Sequence, residues 1–205
     1  YGFESSWTEA LFQMIQEVLS VPLMPDRGDF TLSRIENKDR INELEFYFPL
    51  KPISPETLGS IFVKNGDPDL PPEFPESIGR LSFSPVKGFM KGFMDLVFRS
   101  EDRFYLVDWK SNYLGGDVAD YHQEALRKAM QDNYYILQYH IYAAALNQYL
   151  RLRIPGYDYE KNFGGIYYIF LRGVHASMGP DYGVYRQRPP EDFINRLCLK
   201  LMPRV

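Results

Sequence analysis

The chain has 205 residues, 45% of them hydrophobic, a formal net charge of −4 and a single cysteine, Cys198. That length suits one domain with a sizeable core, and one cysteine excludes an internal disulfide or a cysteine metal cluster and fits a reducing compartment. No apolar run approaches the roughly 18 residues of a membrane span, the first residues do not read as a signal peptide, and the mild acidity excludes a uniformly basic nucleic-acid surface while leaving room for a local basic channel.

Residues 5–20, SSWTEALFQMIQEVLS, read as a helix. Trp7, Leu11, Ile15 and Val18 share a stripe, Ser5 or Ser6 caps it, and Pro22 and Pro25 end it. The chain enters this pattern at Tyr1, as a segment of a longer protein would. Residues 41–49, INELEFYFP, alternate as a strand, with Leu44, Phe46 and Phe48 on one face and Glu43, Glu45 and Tyr47 on the other. Residues 51–80 are rich in Pro and Gly and read as a mobile surface loop. Residues 86–98 and 103–110 predict a hairpin. Helical patterns follow at 117–131 and 134–153, broken near Asp132–Asn133. The continuous apolar run 164–172, GGIYYIFLR, predicts a strand buried on both faces. Pro189 and Pro190 precede a last helix, 191–202. This order predicts a single α/β domain, a mixed sheet flanked by helices.

The hairpin carries the chemistry. In DLVFRSEDRFYLVDWKSN, Phe104, Leu106, Asp108 and Lys110 share one strand face, and Tyr105, Val107 and Trp109 share the other. A two-residue turn at Glu101–Asp102 pairs Ser100 with Arg103 and sets Asp95 opposite Asp108. Opposed residues lie about 5 Å apart at Cβ. Two facing carboxylates repel unless a cation lies between them. Mg2+ suits such a site, since it takes hard oxygen ligands and often only one or two carboxylates. Lys110 beside it is placed to orient a water or to stabilise charge on a scissile phosphate. A D-x-K tripeptide alone is far more often an ordinary exposed strand pair; the matched register and apolar flanks bring the two readings to about even.

The segments GFMDLVF, YLVDWKSN and LQYHIY follow one another as the motifs of the PD-(D/E)XK nuclease superfamily do, in its RecB-type branch. With YGFESSW, ELEFYFPL, YDYEKNFGGIYYIFLRGV and YRQRP, the chain resembles the C-terminal nuclease domains of exonuclease V beta subunits over nearly its whole length, the 51–80 region excepted. The resemblance implies a restriction-endonuclease-like core and a Mg2+-dependent DNA exonuclease, with one or two ions, in a bacterial cytoplasmic helicase–nuclease that acts in break repair. It implies DNA, RecC-like and RecD-like subunits and the helicase portion of the same chain as partners.

By position in the motifs, Asp95 and Asp108 are metal ligands, although Met94 stands where the motif has proline. Lys110 is the catalytic lysine, and the Trp109 main-chain carbonyl faces the metal. Glu43 is the upstream acidic residue, with Glu45 as the alternative; a solvated strand face is an equal reading for both. Gln138 and Tyr142 match a QxxxY motif on one helix face, there to contact the DNA backbone or to brace the lysine; alone, such a pair is more often core edge. Lys87, Lys91, Arg127 and Lys128 offer modest phosphate contacts or are solvated charges. RecB-type nucleases carry a histidine ligand on a helix ahead of the glutamate strand. No histidine precedes His122 here, so that ligand is expected upstream of Tyr1, and this chain is expected to bind metal weakly and to have only weak nuclease activity by itself. His122, His140 and His175 read as structural, and Cys198 as core. The competing classes are a binding or scaffolding module that keeps the fold without activity, and a stand-alone resolvase or restriction-type enzyme.

Overall fold

The computed structural model describes residues 7–63, 70–81 and 86–203. In chain order its main elements are α1 (Trp7–Ser20), β1 (Arg40–Ile53), α2 (Pro55–Val63), α3 (Phe74–Gly79), β2 (Val86–Ser100), β3 (Arg103–Lys110), α4 (Gln123–Asp132), α5 (Tyr135–Arg153), α6 (Tyr159–Asn162), β4 (Phe163–Phe170), β5 (Val184–Gln187) and α7 (Glu191–Leu201). The strands form one five-stranded sheet in the order β1-β2-β3-β4-β5. β3 and β4 are parallel and the other neighbours antiparallel, so the sheet is mixed, as the element order predicts. The fold is α/β, with the layout of a restriction-endonuclease-like core.

The sheet separates two apolar clusters. One lies under α2, α3, α4, α5 and α7 and includes Leu44, Phe46, Met94, Val97, Leu106 and Tyr168. The other lies under the end of α1 and the segment that follows it, and includes Leu96, Phe98, Tyr105, Val107 and Tyr167. β4 runs between them, and all eight of its residues are buried; this is why its sequence shows no alternation. Its glycines serve the packing. A Cβ on Gly164 would meet the Tyr105 ring at 2.2 Å, and Gly165 has φ of 131° where the β3–β4 register shifts.

The hairpin is built as the sequence predicts. Glu101 and Asp102 both have positive φ, 50° and 60°, which matches the twist of a two-residue turn between right-twisted strands. Ser100 pairs with Arg103 and Leu96 with Val107.

Two expectations are corrected, and one strand was not foreseen. Residues 51–80 are not a structureless loop: α2 and α3 fill half of the stretch and bury Leu58, Ile61, Phe62, Phe74 and Ile78. The Pro and Gly that read as loop signals stand at helix starts (Pro55, Pro75) and at close helix contacts (Gly59, against Pro75 and Gly79). Residues 64–69 lie outside the described residues. On α1 only Val18 of the expected stripe is buried; Trp7, Leu11 and Ile15 are 57%, 45% and 51% exposed. The capping residues Ser5 and Ser6 lie outside the described residues. β5, four residues long, is too short to show a period in sequence.

The α2–α3 pair should behave as core. The Phe62 ring lies within 5.5 Å, centroid to centroid, of Phe74, His140 and Phe193. Phe62→Ala is expected to lower unfolding free energy by about 3–5 kcal/mol in denaturant titration. Val63→Ala, next in sequence but 68% exposed, should change it by less than ~0.5 kcal/mol.

Candidate active site

The site lies where the sheet forks. The β2–β3 ladder ends at the pair Leu96–Val107, while β1–β2 pairing continues outward from Leu44–Met94 to Ile53–Val86 and β3–β4 pairing continues to Lys110–Phe170. One further step of the β2–β3 register sets Asp95 opposite Asp108. Here the pleat is interrupted. On the outer side of Asp95 it is the even-numbered Leu44, Phe46 and Met94 that enter the α5-side core; on the inner side it is the odd-numbered Val97. Leu96 and Phe98 turn to the opposite core. Glu43 lies across from Asp95 in the β1–β2 register, with φ of 52°, a left-handed conformation uncommon for a residue with a Cβ. The break lets the Asp95 carboxylate turn toward β3, where its Oδ2 accepts the Trp109 N–H at 2.9 Å. N–H and C=O of one strand residue leave toward the same neighbour, so the Trp109 carbonyl is also directed to the Asp95 side.

Asp108 and Lys110 are 4% and 8% exposed, which removes the reading of an ordinary surface pair. Lys110 Nζ lies 2.5 Å from Asp108 Oδ2 and donates to Gln138 Oε1 at 3.0 Å. It also lies 3.8 Å from the ring centroid of Tyr135 and 4.9 Å from that of Tyr168. Gln138 Oε1 accepts a second bond, from Tyr168 Oη at 3.1 Å, and its Nε2 donates to Tyr142 Oη at 2.9 Å. Gln138 thus contacts Lys110 directly, and Tyr142 contacts Gln138. Burial raises the Asp108 pKa above its ordinary 3.8; Lys110 pulls it down by hydrogen bond and charge, and the charge of Asp95 raises it. Burial likewise raises the hydroxyl pKa of Tyr142 and Tyr168, and the charges of Asp108 and Asp95 add to it in both.

Tyr135, Tyr168 and Asn112 were not singled out from sequence. Tyr168 sits inside the apolar run and lies beside Asp108 only through the parallel β3–β4 register. Tyr135 had a readable signal, since 135, 138 and 142 share a helix face; its hydroxyl donates to Asn112 Oδ1 at 3.1 Å. Glu43 and Glu45 are both exposed. Glu45 is held by Lys91 at 2.8 Å, and the left-handed turn at Glu43 gives the two glutamates different surroundings. The histidines lie elsewhere. His122 caps α4, and His175 meets Ser177 and Glu17. His140 is fully buried, donates from Nδ1 to the Ile136 carbonyl and has its pKa pushed down to about 3 by burial. Cys198 is buried. Lys128 is paired with Asp132, Arg127 is exposed, and the side chain of Lys87 lies outside the described residues.

The donor set fits a hard divalent cation. The recorded bonds of Asp95 and Asp108 use Oδ2 of each, leaving Oδ1 of each and the Trp109 carbonyl. Burial is the main cause of the raised Asp108 pKa and the charge of Asp95 adds to it; a cation there would favour the carboxylate against both. Among the described residues no three His, Cys, Asp or Glu side chains converge, so such an ion would draw the rest of its shell from water and substrate. Among the described residues, no helix is long and apolar enough to cross a membrane.

No family model matches the chain. Curated proteins named RecBCD enzyme subunit RecB do match it. The relative from Escherichia coli is 43% identical over 192 residues, covering 92% of this chain, and that from Haemophilus influenzae is 38% identical over 95% of it. The relative from Mycolicibacterium smegmatis is 33% identical over 84%. The chain spans only about 15–18% of the length of these relatives. By this likeness and by its fold, the chain belongs to the RecB family, of whose subunits it represents one domain-sized segment.

Proposed function

We propose that this domain hydrolyses DNA phosphodiester bonds with a divalent ion, Mg2+ by its preference for hard oxygen ligands, as the exonuclease domain of a helicase–nuclease that degrades DNA and acts in break repair. The observation that carries the reading is the meeting of Asp95, Asp108 and the buried Lys110 ammonium at the sheet fork. Asp95, Asp108 and the Trp109 carbonyl would hold the ion, which when bound supplies Lewis-acid polarisation of the phosphate and of an attacking water. Lys110 presents a fixed positive charge to the scissile phosphate, where charge develops in the transition state. Gln138, held by Tyr142 and Tyr168, keeps Lys110 in place. Glu43 stands at the fork opposite Asp95 and, exposed, is placed to receive a proton from solvent or substrate. By homology the partners are DNA, the helicase portion of the same subunit and the other subunits of a RecBCD-type complex, in the bacterial cytoplasm.

Two carboxylates and a carbonyl make a weak site, of order 10⁻⁴–10⁻³ M by comparison with other weak oxygen-ligand sites. In calorimetric titration with Mg2+, Asp95→Ala and Asp108→Ala should each abolish binding by the chain, whereas Lys110→Ala should preserve it. On DNA, Asp108→Ala should abolish cleavage and Lys110→Ala should slow it ~10²–10³-fold. Equal loss of metal affinity in all three variants would refute these roles. Binding of DNA without cleavage by the unmodified chain under any divalent ion would favour a scaffolding module.

The raised Asp108 pKa gives a pH signature. Only the carboxylate form binds a cation, so at Mg2+ well below saturation cleavage should fall as pH drops through a value above the ordinary 3.8, and higher Mg2+ should move that midpoint down. Lys110 holds that pKa down, so the residual cleavage of Lys110→Ala should fail at a higher pH than that of the unmodified chain. A midpoint that moves down, measured from pH–rate profiles, would contradict the pairing.

Gln138→Ala should reduce cleavage ~10–100-fold, in line with the loss of groups that orient a metal site from behind. Metal affinity should be unchanged, since Gln138 touches Lys110 and not the carboxylates.

A further inference from the structure

Next to the site, between the outer arm of β1–β2 and α5, lies a cleft of about 280 Å³. Phe46 and Met90 form its strand wall, Leu137 and Ile141 its helix wall, and Gln138 and Tyr142 the end toward Lys110. Gly92 shapes the strand wall. A Cβ there would stand 2.5 Å from the Phe46 ring, so only glycine lets that ring lie across the strand. The ring meets Tyr142 edge-on, with centroids 5.5 Å apart at 71°. The cleft is apolar along its length and polar where it joins the site, because the Gln138 amide belongs to both. Lys91, held by Glu45, is at the rim.

The geometry points to a subsite for one unpaired nucleobase of the strand being cleaved. This rests on the nuclease reading of the adjacent site and adds a place for one base. A phosphate at Asp95, Asp108 and Lys110 carries a base on each flanking sugar. The cleft starts one side chain away from Lys110 and offers apolar and aromatic walls to a flat ring. Its volume is at the small end of ligand pockets, which run from roughly 300 to 1,000 Å³, and it suits one ring system and no more. The hydrogen bonds recorded for Gln138 and Tyr142 use one amide hydrogen and a hydroxyl lone pair. The second amide hydrogen and the hydroxyl proton can therefore donate to ring carbonyls. A base must leave its stack and its pairing partner to enter. Bases stacked on aromatic side chains bind with little regard to sequence, as a degrading enzyme needs.

The test compares binding of an oligothymidylate with that of an equally long strand of abasic sites, by fluorescence anisotropy with Ca2+ in place of Mg2+. The unmodified chain should prefer the oligothymidylate on the order of 10-fold. Ile141→Trp and Met90→Trp fill the cleft from opposite walls and leave the Lys110–Gln138 contact alone. Each should bind both strands equally, at the affinity the unmodified chain has for the abasic strand. The inference is overturned if the unmodified chain cleaves DNA in Mg2+ yet binds the two strands alike. It is also overturned if either filled variant, melting like the unmodified chain, keeps the preference. If the unmodified chain neither binds nor cleaves, the nuclease reading fails, and the subsite with it.

Discussion

The burial of the Lys110 ammonium is the constraint around which this domain is arranged. A charge taken out of water carries a penalty of several kcal/mol unless its surroundings replace the lost solvation. Here they do so from four directions: Asp108 from the same strand, Gln138 from α5, and the ring faces of Tyr135 and Tyr168 from helix and neighbouring strand. Desolvated cation–π contacts reach about 2 kcal/mol, enough to matter beside the ion pair. Each of these groups needs a different piece of the fold. The parallel β3–β4 register supplies Tyr168, and the left-handed Tyr134, at 54° in φ, starts α5 so that residues 135, 138 and 142 share the face turned to the sheet.

The second constraint is the fork. An uninterrupted three-strand ladder would keep Asp95 within the pleat and pair the Trp109 N–H with main chain. By ending the β2–β3 ladder at Leu96–Val107 and kinking β1 at Glu43, the fold frees main-chain groups at the centre of a sheet, where they would ordinarily be unsatisfied. Asp95 answers one of them, the Trp109 N–H. The same interruption splays the β1–β2 arm from β3 and opens the cleft against α5. The geometry of the candidate site and the opening of the cleft thus have one cause, and the strained residue, Glu43, sits at that cause, as backbone strain tends to at functional sites.

Much of this was legible in sequence, and the reasons differ by element. The hairpin register could be counted because the turn is short and the side-chain period is two; that count alone brought Asp95 and Asp108 together. β4 was legible as a strand because burial on both faces leaves a continuous apolar run. The roles of Gln138 and Tyr142 were open, since helical spacing shows that two side chains share a face but not what the face meets. Tyr168 was not legible, because its partner is set by a parallel register that no local pattern encodes. The 51–80 region misled for a physical reason: Pro at the start of a helix and Gly at a close helix contact carry the same local signal as Pro and Gly in a loop. The α1 stripe misled in the opposite sense, since amphipathic spacing predicts an apolar face but not that anything described here covers it.

The site also has a thermodynamic cost that its architecture makes visible. Asp108 is harder to ionise in the fold than in an unfolded chain. Between its ordinary pKa and its raised one the folded state therefore binds more protons, and stability declines as pH rises through that window. At neutral pH the carboxylate is retained at the expense of stability, offset in part by Lys110. An apolar replacement of the pair would in general be neutral or stabilising, so stability alone does not account for a lysine and an aspartate side by side under α5. The proposed role accounts for it, since a divalent ion would bind only the charged form. A cation held between Asp95 and Asp108 would favour the carboxylates, and by mass action it would stabilise the folded chain increasingly as its concentration rises. Ionising the buried Asp108 is costly without such an ion, and under the proposed role the ion would offset that cost.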